Sequence, residues 1–273
     1  MIKEKIKKQN IFKLIIVIVF LFVFAVIMFF IGLSYTREPD QPSQEVGFIC
    51  GQDFIDPRDN KNYATIELAG ACWFAENLKF SPGQEDELKY MPERTEWRQA
   101  GEDGIPAYSF YENNAENADF YGYLYNWHAV NKTLLCPQGW RVPSDGEWHE
   151  LEQYFVSQEA PCNDQRKGSL GCSPAGAKLK MQDNIHGTAL WNSADFNCGR
   201  GGLYDCSGFN ALPAGSRYSS GTFFGIGGGA YFWSSSAAEE NSAWGRNLRE
   251  KETGTLRNSF TFSLGMPIRC VKD

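Results

Sequence analysis

The clearest helical periodicity in the chain is short. Trp148, Leu151 and Phe155 recur three to four residues apart, which places them on one face of a helix. Its start carries matching local signals. Ser144 stands at the cap position, Glu147 three residues on completes a capping box, and Pro143 holds the preceding backbone extended. Trp140 lies just upstream of that apolar face, with Cys136 before it. Elsewhere the pattern alternates. Phe54-Ile55-Asp56 runs into the turn cluster Pro57-Arg58-Asp59-Asn60-Lys61. Tyr63 to Leu68 reads as a strand, Ala69-Gly70 turns the chain, and Cys72-Trp73-Phe74 begins another strand. Tyr121, Tyr123, Tyr125 and Trp127 alternate at period two, so on a strand they share one face. That face is a platform for sugar rings or a wall of the core, and Leu124 and Val130 beside it favour the wall. Residues 81–119 read as an acidic loop, and Lys178-Leu179-Lys180 as a short strand between loop regions 157–176 and 181–210. Ala211 to Gly215 breaks the chain, Tyr231-Phe232-Trp233 reads as a buried strand, Phe260 to Leu264 alternates, and Met266 to Val271 closes the fold. Many short strands, one clear helix and long loops make an α+β domain.

One apolar run fits neither pattern. Leu14 to Leu33 is 20 residues without a charge or a proline. As a helix it spans roughly 30 Å, the thickness of a bilayer's hydrocarbon core. Five lysines (3, 5, 7, 8 and 13) precede it, so the positive-inside bias predicts a cytoplasmic N-terminus. The run is longer than the apolar region of a cleaved signal peptide and ends in a weak cleavage site, Ile-Gly-Leu-Ser-Tyr. The expected organisation is therefore a basic cytoplasmic segment, 1–13, a transmembrane helix, 14–33, a polar linker, 34–49, and an extracytoplasmic domain, 50–273. The membrane is then one partner, through Leu14–Leu33.

Charge changes the picture of the other partners. The chain holds 26 Lys+Arg and 33 Asp+Glu. Removing the five lysines and single acid of the first 36 residues leaves 21 and 32, a net of −11 for 37–273. Such a domain is a poor nucleic-acid binder, because phosphate contacts need clustered cations. All eight cysteines (50, 72, 136, 162, 172, 198, 206 and 270) follow the apolar run. An even count in an exported domain predicts disulfides. Cys162–Cys172 and Cys198–Cys206 each close a short polar loop, Cys50–Cys72 crosses the first hairpin, and Cys136 and Cys270 remain as a pair. No C-x-x-C occurs, and His128, His149 and His186 are not at ligand spacing from the cysteines, so neither a metal nor another cofactor is expected.

The search for chemistry is mostly negative. His149-Glu150-Leu151-Glu152-Gln153 has half of a helical zinc motif, with Gln153 where the second His is needed. Gly225-Ile-Gly-Gly-Gly-Ala230 nearly fits a dinucleotide fingerprint but leads into a strand pattern, so it reads as a turn. No G-x-S-x-G elbow is present. Asp195, Asp205, Glu239 and Glu240 lie in loops with nothing to pair them as a glycosidase requires. Glu85-Asp86-Glu87 and Glu112-Asn113-Asn114 lack calcium-loop spacing. Recognition residues concentrate in loops on a rigid scaffold, which directs attention to Trp191, Asn192, Asp195 and Asn197.

Resemblance adds to these readings. Arg141-Val-Pro-Ser-Asp-Gly-Glu-Trp148 resembles the R-L-P-T-x-x-E-W signature of the formylglycine-generating enzyme family and its relatives of C-type-lectin-like fold. Ile268-Arg269-Cys270 resembles the end of such domains. Six segments in one order resemble the Fibrobacter succinogenes major paralogous domain: Trp73 to Leu78, Tyr121 to Trp127, Cys136 to Trp140, Gly208 to Gly215, Phe232 to Ser236, and Arg269 to Asp273. That family consists of exported bacterial surface proteins. The resemblance implies a C-type-lectin-like domain of short antiparallel strands, few helices and long loops, and supports a Cys136–Cys270 bridge. It does not carry the enzyme chemistry across: the oxidase family needs a reactive Cys pair shortly before the terminal strand, and 207–269 contains no Cys. Nor does it carry calcium-dependent sugar binding, because Trp191-Asn192 is followed by Ser193. The expectation is a membrane-anchored surface module that binds protein or polysaccharide without catalysis. An envelope enzyme and a purely structural component are the alternatives.

Overall fold

A computed structural model describes residues 48–81, 87–132, 135–157, 161–181, 190–192 and 206–273. Its centre is a six-stranded sheet in the order Phe223–Ile226, Ala214–Arg217, Gly229–Glu239, Ser242–Arg249, Thr255–Thr261, Ser169–Gly171. Ala214–Arg217 runs parallel to Gly229–Glu239, and every other neighbouring pair in this sheet is antiparallel. The strand Gly229–Glu239 shows why the sheet lies in the middle. Ala230 and Phe232 point into one apolar cluster, with Trp148, Leu151, Phe209 and Leu248. Trp233 points into the other, with Tyr125, Trp127, Met266 and Ile268. A strand covered on both faces reads as an unbroken apolar run, as Ala230-Tyr-Phe-Trp233 does.

The ends of the domain close on a second, four-stranded sheet, ordered Thr65–Leu68, Ala71–Phe74, Val271–Lys272, Trp140–Arg141. Two disulfides staple it: Cys50–Cys72, and Cys136–Cys270 across a separation of 134 residues. A third, Cys162–Cys172, closes the loop leading into Ser169–Gly171. Cys206 is also disulfide-bonded; Cys198, its expected partner, lies outside the described residues. A three-stranded sheet joins Lys89–Tyr90 and Ala107–Ser109 in parallel and adds Leu124–Tyr125 antiparallel. A two-stranded ribbon, Phe54–Ile55 with Asn62–Tyr63, completes the strands.

The helix Asp145–Tyr154 is built as its local sequence dictates. Ser144 Oγ accepts the Glu147 N–H at 3.2 Å, and Glu147 Oε2 accepts the Ser144 N–H at 2.8 Å, which closes the capping box. Arg141 grips the same carboxylate with both Nη atoms, at 2.6 and 2.5 Å. Trp148 and Leu151 are fully buried, and Trp148 Nε1 donates to Trp233 O at 3.2 Å, so the helix is bonded to the central strand it covers.

Charge fixes the other side of that contact. Arg246 and Arg257 sit directly opposite each other on adjacent strands, facing the helix. Two guanidiniums so placed repel unless anions lie between them. Asp145 and Glu152, two helical turns apart, supply those anions. Asp145 takes Arg246 Nη1 and Arg257 Nη2, each at 2.7 Å. Glu152, itself fully buried, takes Arg246 Nε and Arg166 Nη2, each at 2.7 Å, and the Thr255 hydroxyl at 2.6 Å. Burial tends to raise the Asp145 pKa, but the hydrogen bonds and charges of Arg257 and Arg246 outweigh it and hold the carboxyl below its ordinary value. Two more arginines are buried on carbonyls. Arg269 reaches Asn77 Oδ1 and the carbonyls of Phe74, Phe209 and Asn210, all within 2.8 to 3.0 Å. Arg217, between the rings of Trp97 and Phe223, donates to the carbonyls of Met91, Pro92 and Gly221.

Several expectations are corrected. The described domain is not the expected C-type-lectin-like arrangement of short antiparallel strands. It is a mixed-sheet domain with two parallel pairings, and its central strands run to 11, 8 and 7 residues. Within them, stretches such as Ser234 to Glu239 and Gly245 to Asn247 lack the apolar alternation that marks a strand in sequence. Among the described residues no helix is long and apolar enough to cross a membrane. The expected span Leu14–Leu33, and all of 1–47, lie outside the described residues. The segment read as an acidic loop contains the helices Arg94–Glu102 and Ala115–Tyr121. The first buries only Trp97 and Ala100, and its Gly101 passes so close to Ser263 that an added Cβ would sit 2.5 Å from the serine's own. Lys178 and Leu179 end a short helix, Ala175–Leu179, and are not a strand.

Candidate recognition surface

The loop residues singled out from sequence separate in space. Trp191 is 1% exposed and packs in the core with Leu179 and Phe209, with the Lys180 ammonium 4.9 Å from its ring centre. It presents no face to solvent. Asn192 is exposed; its N–H donates to Gly227 O at 2.9 Å, and its side chain fills the space where a Gly227 Cβ would stand, 2.6 Å from Oδ1. The glycine run 225–229 is thus a turn shaped around Asn192, with Gly227 at φ +75°. Asp195, Asn197 and Asp205 lie outside the described residues. Glu239 is paired with Lys167 at the end of its strand, and no acid is held opposite it. Among the described residues no group of three or more His, Cys, Asp and Glu side chains converges as metal ligands do.

A different set of side chains forms the most distinctive surface. The aromatic alternation at 121–127 is only partly a strand. Tyr121 ends a helix, Trp127 begins another and is buried, and Leu124–Tyr125 alone pairs in the sheet. Tyr125 lies opposite Tyr108, and Tyr108 opposite Tyr90, in the three-stranded sheet. Tyr125 is fully buried and donates its hydroxyl to Phe80 O at 2.7 Å. Tyr90, Tyr108, Phe110 and Tyr123 rise around it toward solvent, Tyr90 being 40% exposed. Their rings stack in two pairs, and the pairs tilt against each other by 40 to 46°. Tyr90 lies 5.2 Å from Phe110 at 16°, and Tyr108 lies 5.5 Å from Tyr123 at 14°. Fully overlapped rings come closer, as Tyr218 and Phe224 do at 3.7 Å in this same chain. The wider spacing means that the four rings are stepped, each leaving part of its face uncovered.

The terrace is firmly supported. Asn126, buried beside it, accepts the N–H groups of Ala107 and Ala129 at 3.0 Å and donates to Ile105 O at 2.8 Å. Trp233 Nε1 donates to Tyr125 O at 2.8 Å, and Trp127 Nε1 to Ser234 O at 2.9 Å, which ties the small sheet to the central one. Lys61 Nζ lies 5.0 Å over the Tyr123 ring and 3.4 Å from its hydroxyl. Desolvation raises the Tyr108 pKa; it raises that of Tyr90 too, with the neighbouring Tyr108 adding to it. Both phenols therefore stay protonated well above neutral pH, as donors and acceptors. Elsewhere, a depression of about 620 Å³ lies between the Ala69-Gly70 turn and the outer helix face, lined by His149, Glu150, Gln153 and Tyr154.

These features define a class: a disulfide-stapled, mixed-sheet domain with an uncovered aromatic terrace on a rigid side sheet. Residues 66–272 match the model of the Fibrobacter succinogenes major domain, and the chain belongs to that family. Neither a curated protein nor a solved structure matches it. The match contains all four terrace residues and the whole buried arginine network.

Proposed function

We propose that this domain is a recognition module on the outer side of a bacterial cell envelope, holding a surface ligand, protein or polysaccharide, without turning it over. The observation that carries the reading is the terrace of Tyr90, Tyr108, Phe110 and Tyr123: half-exposed aromatic rings, stepped and held rigid by buried hydrogen bonds. Large rings with few rotamers give contact area at small entropic cost, and so recur at recognition surfaces. The disulfides agree with an oxidising compartment. A catalytic reading draws on the resemblance of the Arg141–Trp148 segment to the signature of the formylglycine-generating enzymes. Here five of its residues have structural duties: Arg141 pairs with Glu147, Pro143 O accepts the Ser235 N–H, Ser144 caps the helix and Trp148 is buried. The test is retention of envelope protein and envelope polysaccharide fractions on the immobilised full chain. Tyr90→Ala and Tyr123→Ala, each still folded by circular dichroism, are expected to lose that retention. Equal retention by wild type and both variants refutes the reading.

A further inference from the structure

The chemistry of the terrace narrows its ligand. We infer that it takes a neutral polysaccharide, the sugar rings lying across the stepped aromatic faces; this rests on the recognition reading above.

Three observations point there. The first is spacing. Neighbouring ring centres along the terrace stand 5.2 to 5.7 Å apart, from Tyr90 to Phe110 and Tyr108 and on to Tyr123. The four centres close a quadrilateral whose sides are each about the length of one pyranose unit, so two adjacent sugars of an extended chain reach two adjacent rings. The apolar C–H face of a pyranose packs on an aromatic face as another ring would. The second is the polar fringe. Tyr90, Tyr108 and Tyr123 carry phenolic hydroxyls, Tyr108 already bonded to Ser81 and Tyr123 to Lys61. Hydroxyls that both donate and accept match the hydroxyls of a sugar. A protein ligand would instead need an apolar knob to enter a desolvated pocket, and the terrace is stepped, not hollow.

The third is charge. The cations on the Tyr123 side are matched within the domain: Arg58 with Asp56 at 2.7 Å, Lys61 with Asp59 at 3.3 Å, and Lys79 with Glu76 at 3.1 Å. The chain as a whole is acidic, at −7. On the Tyr90 side Arg217 is buried and bonded to carbonyls. None of these offers an exposed surplus of positive charge to a uronate or sulfate polymer, which net negative charge repels. A neutral chain suffers no such penalty.

The experiment is affinity electrophoresis of the full chain through gels containing one polysaccharide each: mixed-linkage β-glucan, galactomannan, pullulan, or the polyanion polygalacturonate. Retardation is expected in at least one neutral gel, unchanged between low and physiological salt. Tyr108→Ala and Tyr123→Ala should weaken it at least tenfold. Tyr108→Phe, which keeps the ring, should weaken it by a few-fold only. Unfolding of an alanine variant is checked by circular dichroism; Tyr90→Ala, at an exposed position, supplies the same test where the others fail to fold. Retardation by polygalacturonate alone, fading with salt and lost in the tyrosine variants, overturns the neutral class while leaving the recognition reading standing. Capture of envelope protein but no polysaccharide, through the same tyrosines, does likewise. No ligand of any kind overturns both.

Discussion

Glu152 is the residue on which the helix–sheet contact should fail first. It has no exposed surface and accepts from Arg246 Nε at 2.7 Å, Arg166 Nη2 at 2.7 Å and Thr255 Oγ1 at 2.6 Å. Three arginines (166, 246 and 257) face two carboxylates (145 and 152) there, so the cluster's net charge is +1. Glu152→Gln keeps the shape but takes the net to +2 and turns an amide donor toward one arginine. Breaking a buried pair on one side costs about 3–5 kcal/mol, because the remaining charge stays desolvated. For a domain of this size, about 2–4 °C of melting temperature accompanies each kcal/mol, giving a fall on the order of 6–20 °C. Urea denaturation with the disulfides intact, followed by circular dichroism and tryptophan fluorescence, measures it. Glu150→Gln, two positions away on the solvent side, should change stability by under about 0.5 kcal/mol. The double variant Glu152→Gln/Arg166→Gln restores the net to +1 and should lose less than the sum of its singles, with a coupling of about 1–3 kcal/mol. A loss below about 1 kcal/mol for Glu152→Gln, or strictly additive singles, would refute the account of the cluster.

The disulfides should differ in worth by the chain each encloses. Replacing Cys136 and Cys270 by Ser opens a loop of 134 residues and should cost on the order of 4–5 kcal/mol, whereas replacing Cys50 and Cys72, 22 apart, should cost about 3. Denaturation midpoints in the opposite order would contradict the chain-entropy argument. Asp145 sets an acid limb. Its folded pKa is depressed below the ordinary 3.8, so its contribution is complete above that value and disappears as pH falls through the lower folded one. Melting temperatures measured down to about pH 2 should fall steeply below about pH 4 in wild type and more gently in Asp145→Asn; parallel curves would exclude it.

What could be read from sequence was local. The capping box needs only Ser144 and Glu147, and the hairpin at Ala69-Gly70 needs only its turn. What could not be read depends on distant partners. The helix Arg94–Glu102 is polar nearly throughout, and its buried Trp97 meets Ser263 and Gly265 at the far end of the chain. Arg246 and Arg257 look like solvent-facing residues on strands until Asp145 and Glu152 are folded over them; the one available hint was that those two acids share the face of Trp148. Trp191 drew attention as an aromatic in a polar loop. A large ring in such a loop more often anchors it, as this one does. The terrace was half visible. Tyr123 and Tyr125 announce an alternation, but Tyr90, Tyr108 and Phe110 arrive from a stretch that reads as acidic loop, so their meeting is a product of topology.

That topology makes Asn126 the residue through which the scaffold controls the surface. Its side chain makes three hydrogen bonds, accepting two backbone N–H groups and donating to Ile105 O, and it is 1% exposed. The Ala107 N–H that it holds belongs to the strand carrying Tyr108, so Asn126 positions the terrace without touching its outer face. In Asn126→Asp the carboxylate still accepts both N–H groups, but the donor to Ile105 O is gone and a charge is buried, at a cost of several kcal/mol for an unpaired ion. In Asn126→Ala the N–H groups of Ala107 and Ala129 are left unmade, at about 1–3 kcal/mol each. Both variants should speed amide hydrogen exchange at Ala107 and Ser109 and weaken terrace binding, whereas a merely structural role would lower stability and leave the affinity of the folded fraction unchanged. Measuring exchange and affinity below the melting temperature separates the two. If Asn126→Ala binds as tightly as wild type while its strand exchanges freely, the rigidity of the terrace does not matter to what it recognises.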